Sequence, residues 1–275
     1  MLKKTFFITG VNSGFGLAIS SAAAAAGHTV IGTVRSEASR STLAEALPAV
    51  RTVLCDVTEF DRIDSVVRLA EEEHGPVDVL INNAGYGHEG VLEESPIEEM
   101  RRQFDVNVFG AVAVAKAFLP KFRERRRGFI VNVTSMGGMI TMRGIAYYCG
   151  SKFALQGISE VMRAEMAPFG VHVTAVCPGS FRTDWAGRSM IRTERSIADY
   201  DQLFDPIREA RQAVSGKQLG DPAKLATAVL ELVENDNPPT QLLLGSDALK
   251  HVSAKIERLQ EEIAAWRHVT ISTDG

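Results

Sequence analysis

The chain has 275 residues, of which 45% are hydrophobic, and its formal net charge at pH 7 is −4. This length fits one large α/β domain better than two small ones. The mildly acidic balance argues against nucleic acid or an anionic membrane as a partner, and no apolar run approaches the roughly 20 residues of a membrane-spanning helix.

Short apolar segments alternate with segments of helical length along most of the chain. Most of the apolar segments are bounded by Gly, Pro, Asp or Asn and are apolar on both faces, as buried parallel strands are. The predicted strands are Thr5–Thr9, Thr29–Val34, Thr52–Cys55, Val77–Ile81, Phe129–Val133, Val171–Val176 and Gln241–Leu244. Helices predicted between them include Phe15–Ala26, Phe60–His74 and Ile97–Arg126. The alternation predicts a single-domain Rossmann fold, with a doubly wound, mostly parallel, seven-stranded sheet and helices on both faces.

The first strand leads into a glycine-rich turn that opens the first helix. The turn contains Gly10, Asn12, Ser13, Gly14, Phe15 and Gly16. Glycine lets the backbone approach a pyrophosphate closely, and a helix N-terminus presents free N–H groups to the anion. Because the spacing is Gly-x-x-x-Gly-x-Gly, the usual dinucleotide fingerprint is not strictly met, and an ordinary β–α connection is the alternative.

The end of the second strand bears on which dinucleotide is used. NAD-specific sites carry an acid there, whereas this chain has Val34 followed by Arg35. The Arg35 guanidinium can pair with the 2′-phosphate of NADP. Glu37 is close enough in sequence to bind a 2′-hydroxyl instead. The sequence therefore favours NADP(H) and keeps NAD(H) as the alternative.

A tyrosine and a lysine follow the fifth predicted strand at a spacing of four residues. One helical turn separates Tyr148 from Lys152, so they share a helix face, and the ammonium charge favours the phenolate needed for proton exchange. Ser135, at the end of the strand, can hydrogen-bond a substrate oxygen. Tyr147 has Ser151 at the matching offset and is rotated by about 100°, so we expect it to pack or to line the substrate pocket.

Five motifs occur in the order found in the short-chain dehydrogenase/reductase family. They are Thr-Gly-x-x-x-Gly-x-Gly, Asn82-Asn83-Ala84-Gly85, Ser135, Tyr148-x-x-x-Lys152 and Pro178-Gly179-x-x-x-Thr183. The chain resembles this family over essentially all of residues 4–245. The resemblance implies hydride transfer between a nicotinamide cofactor and an alcohol/carbonyl pair, with Tyr148 as the acid/base.

The resemblance also implies roles that the chemistry of the residues alone leaves open. Asn107 would join the catalytic group by maintaining a water-linked proton path to the lysine, with helix packing as the alternative. Asp56 would approach the adenine amino group, with a turn or helix cap as the alternative. Thr183 would bind the nicotinamide carboxamide. The expected cofactor contacts are Gly10, Asn12, Ser13, Gly14, Phe15, Gly16, Arg35, Asp56, Val57, Asn83, Ala84, Gly85, Tyr148, Lys152, Pro178, Gly179, Phe181 and Thr183.

An irregular stretch from Gly179 to about Gly220 follows the sixth strand. A stretch of this length in a compact domain is more often a functional lid than a structureless loop, and a surface insertion is the alternative. Nearby apolar residues indicate a moderately hydrophobic carbonyl substrate: Phe181, Trp185, Met190, Met136, Met142 and Tyr86. His88 and Arg143 are candidates to meet a polar group of that substrate.

Apolar residues recur three and four apart beyond the last strand. They are Leu249, Val252, Ile256, Leu259, Ile263 and Trp266. The spacing predicts an amphipathic helix in a C-terminal extension (residues 249–275) that follows a catalytic domain (residues 1–248). The helix packs either on its own domain or on a partner subunit, and the resemblance implies a homodimer or homotetramer.

Two other classes of function compete with an enzyme. A redox sensor could hold the dinucleotide with little turnover, but sensors of this fold typically lose the tyrosine or the lysine. A nucleic-acid-binding module rests only on the arginines of residues 123–127, which we expect to form a solvated helix cap. Cys55, Cys149 and Cys177 lack disulfide or metal-ligand spacing, which indicates the cytoplasm and no metal site.

Overall fold

The computed structural model describes residues 2–187 and 189–275. Its strands are β1 (Thr5–Ile8), β2 (Thr29–Val34), β3 (Val50–Leu54), β4 (Val79–Asn82), β5 (Gly87–Glu89), β6 (Gly128–Val133), β7 (Val171–Pro178), β8 (Met190–Arg192) and β9 (Gln241–Leu244). Seven of them form one parallel sheet in the order β3-β2-β1-β4-β6-β7-β9. All seven predicted strands are present, with ends displaced by at most two residues.

Helices cover both faces of the sheet. They are α1 (Gly14–Ala25), α2 (Glu37–Ala46), α3 (Phe60–His74), α4 (Ile97–Phe104), α5 (Ala111–Arg125), α6 (Ala146–Met166), α7 (Asp201–Ala213), α8 (Pro222–Val233) and α9 (Ser246–Ile271). The predicted single-domain, doubly wound Rossmann fold is therefore confirmed. The predicted continuous helix Ile97–Arg126 is wrong in one respect, since a π-helical turn, Asp105–Gly110, separates α4 from α5. Apolar spacing does not reveal one widened turn.

Successive residues of the central strand β1 are buried on opposite faces of the sheet. Phe6 and Ile8 belong to the core under α1 and α8, whereas Phe7 belongs to the core under α3, α5 and α6. All three are fully buried. Burial on both faces explains why this strand is an uninterrupted apolar run. It also fixes the end of β1, which leads directly into the glycine turn.

The segment that follows β7 is more ordered than the sequence predicts. Instead of one irregular stretch, it contains β8, which pairs with β5, and the helix α7. The fully buried carboxylate of Glu94 holds it by accepting hydrogen bonds from the Ser196 and Ile197 amides (2.7 and 2.8 Å) and from Arg195 Nε (2.9 Å). Burial alone would raise the pKa of Glu94, but these hydrogen bonds lower it. The segment is thus fastened to the loop before α4.

The predicted C-terminal amphipathic helix is confirmed as α9. Its first turns pack on the domain through Ala248 and Val252, which are buried. The rest of the apolar stripe is exposed, including Ile263 and Trp266 at 60% and 64%. Among the described residues, no helix combines the length and the apolar character needed to cross a membrane.

A buried carboxylate joins α3, α5 and the start of β4. Glu71 accepts hydrogen bonds from the Val77 amide (3.0 Å) and Arg125 Nη1 (3.2 Å), and it pairs with Lys121 Nζ (2.7 Å). Arg125 also donates to the Val77 carbonyl oxygen (2.8 Å). The prediction that all arginines of residues 123–127 form a solvated cap is therefore wrong for Arg125, because its guanidinium satisfies buried oxygens.

We expect Glu71→Gln to lower the free energy of unfolding at pH 7 by about 2 kcal/mol, since it weakens hydrogen bonds to a charged group. Lys121 is partly exposed, so solvent screens its ion pair with Glu71 and reduces the contribution of that pair to stability. Burial alone would raise the pKa of Glu71, but its partners lower it below the ordinary 4.5. The wild-type advantage should therefore be complete above pH 4.5 and disappear as pH falls through the lower folded-state pKa.

Urea unfolding of both proteins between pH 3 and pH 7 measures this difference. Glu72→Gln is the matched control, because Glu72 forms only an exposed pair with Arg68. We expect that change to cost less than about 0.5 kcal/mol. Equal losses in the two variants, or a Glu71→Gln loss that does not vary with pH, would contradict the assignment.

Candidate functional site

A cleft of about 1120 Å³ opens at the carboxyl ends of β1, β4, β6 and β7. It lies beside β1 and β4, where the direction of the crossovers reverses, and doubly wound sheets bind ligands at this position. The predicted catalytic and cofactor-binding residues all line the cleft except Gly16 and Asn107. The fold thus brings together residues that lie far apart in the sequence, from Gly10 to Gln218.

The glycine turn adopts backbone conformations that depend on glycine. Gly10 and Gly14 have φ angles of +70° and +54°, in the left-handed region. A Cβ atom on Gly16 would collide with the Gly10 carbonyl oxygen and the Asn83 side chain. Gly16 therefore lets α1 pack against the turn and does not line the cleft. The side chain of Ser13, the residue before α1, makes no capping hydrogen bond, so the helix N-terminus keeps its N–H groups for a ligand.

The turn after β4 is tied to the glycine turn by side-chain hydrogen bonds. The Thr9 hydroxyl accepts from the amides of Asn83 (3.0 Å) and Ala84 (2.9 Å). In return, Asn83 Nδ2 donates to the carbonyl oxygens of Thr9 and Gly10, both at 2.9 Å. The Asn83 side chain thus holds one loop to the other, which leaves backbone to face the cleft. Thr9 was not among the predicted site residues, because its hydroxyl meets partners more than 70 residues away.

The end of β2 presents a basic and hydroxyl-rich surface to the cleft. Arg35, Ser36 and Ser39 all line it, while Val34 is buried. The Ser36 hydroxyl caps α2 by accepting from the Ser39 amide (3.3 Å). The Glu37 carboxylate forms an exposed pair with Arg40 (3.5 Å).

Asp56 and Val57 follow β3 and line the same part of the cleft. Asp56 Oδ1 accepts hydrogen bonds from the Thr58 amide (3.0 Å) and hydroxyl (2.8 Å). One carboxylate oxygen therefore forms the turn that the sequence offered as an alternative. Val57 packs where the π-helical turn ends, since a Cβ on Gly110 would lie 2.7 Å from its Cγ2 atom.

Tyr148, Lys152 and Ser135 are buried together in the wall of the cleft, with exposures of 7%, 5% and 8%. Lys152 Nζ donates to the Val133 carbonyl oxygen (2.9 Å) and lies 5.8 Å from the centre of the Tyr148 ring. Burial lowers the pKa of Lys152 to about 8. Burial also raises the pKa of Tyr148 strongly, and an interaction with the Ser135 hydroxyl opposes this only in part. The phenol is therefore protonated at neutral pH.

Asn107 lies in the π-helical turn and bonds to backbone. Its Oδ1 atom accepts from the Tyr86 amide (3.1 Å), and its Nδ2 atom donates to the Tyr86 carbonyl oxygen (3.1 Å) and to Ser151 Oγ (3.0 Å). Asn107 and Lys152 approach Gly85 closely, because a Cβ there would lie 3.1 Å from Oδ1 and 3.6 Å from Nζ. Asn107 thus holds the turn after β4 against α6.

The loop after β7 crosses the opening of the glycine turn. The rings of Phe181 and Phe15 meet edge to face at 5.3 Å, and a Cβ on Gly14 would lie 3.7 Å from Thr183. At its base the loop is held by Asp247, which accepts from the Ser180 amide (2.7 Å). Asp247 belongs to the first turn of α9, and no local sequence signal linked it to the cleft.

Apolar side chains line the part of the cleft beside Tyr148. The lining includes Met136, Met142, Ile145, Tyr86 and Trp185, whose ring lies 4.9 Å from that of Tyr148. Met190 is buried behind this wall.

The prediction that His88 and Arg143 meet a polar group of the substrate is wrong, because neither side chain lines the cleft. Arg211 lines it instead. His88 is 1% exposed and stacks on Tyr147, whose hydroxyl donates to the Ser95 carbonyl oxygen (2.7 Å). Tyr147 therefore packs and does not line the pocket. The side chain of Arg143 is exposed outside the cleft lining, whereas Arg211 of α7 forms part of that lining.

Comparisons with known proteins agree on one family. The family model described as short chain dehydrogenase matches residues 4–192. Oxidoreductase BOA17 of Botryotinia fuckeliana is 34% identical over 99% of this chain and 100% of its own. The 3-ketodihydrosphingosine reductase of Bacteroides thetaiotaomicron is 35% identical over 89% of each chain. A short-chain dehydrogenase structure from Streptomyces avermitilis has a TM-score of 0.92 at 38% identity, covering 99% of this chain and 98% of its own.

Two similar solved structures carry nicotinamide cofactors. A 3-ketoacyl-(acyl-carrier-protein) reductase from Brucella melitensis, complexed with NADH, has a TM-score of 0.75 at 27% identity and covers 89% of this chain and 98% of its own. A gluconate 5-dehydrogenase from Burkholderia cenocepacia, in complex with NADP and tartrate, has a TM-score of 0.75 at 25% identity and covers 90% and 96%.

We expect Thr9→Val to reduce both stability and cofactor affinity, because it leaves the partly buried amides of Asn83 and Ala84 without their acceptor. The loss in unfolding free energy should be about 2 kcal/mol. Urea unfolding and NADPH titration by fluorescence measure the two effects. Thr42→Val is the control, since the Thr42 hydroxyl donates only to the Ala38 carbonyl oxygen on an exposed helix face. A Thr9→Val protein as stable as this control would show that the link between the loops is not needed.

Proposed function

The chain belongs to the short-chain dehydrogenase family, and we propose that it is an NADP(H)-preferring oxidoreductase that uses Tyr148 to transfer a proton to or from a moderately hydrophobic carbonyl or alcohol. The family acts on CH–OH and C=O groups with NAD(P). The observation that carries the proposal is the joint burial of Tyr148, Lys152 and Ser135 in one cleft wall.

The residues of the cleft fit a nicotinamide dinucleotide. Gly10 and Gly14 give the turn left-handed conformations that let backbone approach a ligand closely, and the free N-terminus of α1 suits a pyrophosphate. Gly179, Phe181 and Thr183 would cover the nicotinamide half from the loop after β7. When bound, the cofactor supplies or accepts the hydride. The protein side chains would donate or accept the proton.

The three buried side chains divide the proton chemistry between them. In reduction, the Tyr148 phenol would donate its proton to the substrate oxygen as the alcohol forms. Ser135 already accepts from the Gly137 amide (3.0 Å), so its own proton is free to hydrogen-bond that oxygen. The Lys152 ammonium would stabilise the phenolate that remains. In oxidation, the same groups would act in reverse.

The preference for NADP(H) is supported by the surface at the end of β2. Arg35 would pair with a 2′-phosphate, and the Ser36 hydroxyl and the N-terminus of α2 would add donors. Val34 offers no carboxylate to a 2′-hydroxyl. Glu37, the residue that favoured NAD(H), is engaged with Arg40.

We further propose a cytoplasmic homodimer or homotetramer. The exposed stripe of α9 supports association, since contiguous exposed apolar surface usually marks an interaction site. Cys55, Cys149 and Cys177 are free and buried thiols, which supports a reducing compartment.

We expect Tyr148→Phe to lower kcat for carbonyl reduction by roughly 10²- to 10⁴-fold, because it removes the proton donor and leaves the ring in place. NADPH oxidation by purified protein against aldehydes, ketones, steroids and 3-ketoacyl compounds measures the loss. NADPH binding should be retained. Tyr147→Phe is the matched control, because the Tyr147 hydroxyl donates a hydrogen bond to the Ser95 carbonyl oxygen and does not line the cleft. Wild type and both variants equally inert, with the cofactor still bound, would instead favour a redox sensor.

Cofactor preference gives a second prediction. Arg35→Ala should raise the KM for NADPH by roughly tenfold or more while leaving the KM for NADH unchanged, since a charge-assisted contact with the 2′-phosphate is lost. Arg68→Ala, which removes an exposed arginine of α3 outside the cleft lining, should change neither constant. The NADP(H) preference would be refuted if the ratio of the KM for NADPH to the KM for NADH were the same in Arg35→Ala as in the wild type. It would also be refuted if the wild type bound NADH as tightly as NADPH.

A further inference from the structure

A buried carboxylate near the substrate end of the cleft is surrounded by three arginines. The side chain of Glu89, in β5, has no exposed surface. Arg192 Nε of the paired strand β8 donates to its Oε2 atom at 2.8 Å, and Arg211 Nη1 of α7 bonds to Oε1. Arg208 Nε, one turn earlier on α7, lies 3.6 Å from Oε2. The cluster fastens the segment after β7 to the body of the domain.

One carboxylate cannot neutralise the two guanidinium groups that α7 brings to it. Among the described residues, Arg208 and Arg211 share Glu89, and both arginine side chains are more than four-fifths buried. Within the part of the chain that the structure describes, Arg208 Nε has no hydrogen-bond acceptor. Positive charge held away from water is costly unless an anion accompanies it. On the α7 side, the described part of the cluster therefore carries one more positive charge than Glu89 offsets, and a bound anion would offset it.

Arg211 is the arginine of this cluster whose positive charge reaches the cleft. Unlike Glu89, Arg192 and Arg208, it lines the cleft that also contains Tyr148. Its Nη2 atom donates to the Arg143 carbonyl oxygen (3.2 Å), which fixes the guanidinium at the wall. The side chains of Met142 and Trp185 belong to the same lining. Asp184, an acidic residue of this lining, is exposed to solvent.

We propose that the substrate is a carbonyl compound with an apolar middle and a carboxylate at the far end, which Arg211 binds. This inference rests on the proposed function and adds the substrate class. The reacting carbonyl would meet Ser135 and Tyr148, the apolar part would lie along Met142 and Trp185, and the carboxylate would pair with the guanidinium that the buried Glu89 holds in position. A neutral compound of the same length would leave the excess charge without a partner.

The test compares keto acids of the form CH₃CO(CH₂)nCOO⁻, with n from 2 to 8, with their methyl esters as substrates for NADPH oxidation. At the best chain length we expect wild-type kcat/KM to be at least about tenfold higher for the acid than for the ester. Arg211→Gln should remove this preference by raising the KM for the acid at least about tenfold more than the KM for the ester. Arg211→Lys should restore part of it.

Arg208→Gln is the matched control, since it also loses a Glu89 contact on α7 but does not line the cleft. Urea unfolding shows whether the two variants lose similar stability, and only Arg211→Gln should lose the preference for the acid. Equal rates for acid and ester in the wild type, or an unchanged ratio in Arg211→Gln, would overturn the proposal.

Binding of octanoate separates this proposal from the proposed function. Saturation-transfer NMR in the presence of NADPH should detect octanoate on the wild type and not on Arg211→Gln. If no carbonyl compound is reduced but octanoate binds in this Arg211-dependent way, the carboxylate site stands and the reductase assignment fails. If ketones and esters are reduced but octanoate does not bind, the reductase stands and the carboxylate site fails.

Discussion

The burial of a lysine beside a tyrosine is the constraint on which the rest of the cleft depends. Removing Lys152 from water lowers its pKa to about 8, and the same burial keeps Tyr148 protonated. Both groups are tolerated because the Val133 carbonyl oxygen accepts from the ammonium and Ser135 meets the phenol. These partners come from the end of β6 and the turn after it. The position of that strand end therefore decides whether the buried ammonium has an acceptor.

In the doubly wound sheet, the carboxyl ends of neighbouring parallel strands lie side by side along the cleft. The ends of β1 and β4 are joined by the hydroxyl of Thr9 and the amide of Asn83. Asn107 then holds the backbone of Tyr86 beside Ser151 on α6. Two asparagines thus connect the glycine turn, through the turn after β4, to the helix that carries Tyr148 and Lys152. The glycine turn and the wall that holds Tyr148 are parts of one hydrogen-bonded frame.

The sequence predicts what is encoded by spacing along the chain. The strands, the glycine turn and the Tyr148–Lys152 pair depend on neighbours within one or two turns. The structure has all of them, with strand ends displaced by at most two residues. Arg211 was missed, and His88 and Arg143 were chosen instead, because only the three-dimensional packing of α7 shows which cation reaches the cleft. The same holds for Thr9 and Asp247, whose partners are 67 to 75 residues away. The π-helical turn leaves no trace in the apolar pattern.

The attachment of Asp247 shows that the chain is less modular than its pattern of strands and helices indicates. The spacing of its apolar residues predicts that the C-terminal helix is a separate extension, which could be removed after the last strand. Its first turn, however, supplies the carboxylate that anchors Ser180 under the loop over the glycine turn. A truncation or a fusion joint placed at residue 245 would remove a support of the cleft together with the tail. In this protein, the boundary that matters in protein engineering lies inside α9, after the first turns that carry Asp247 and Val252.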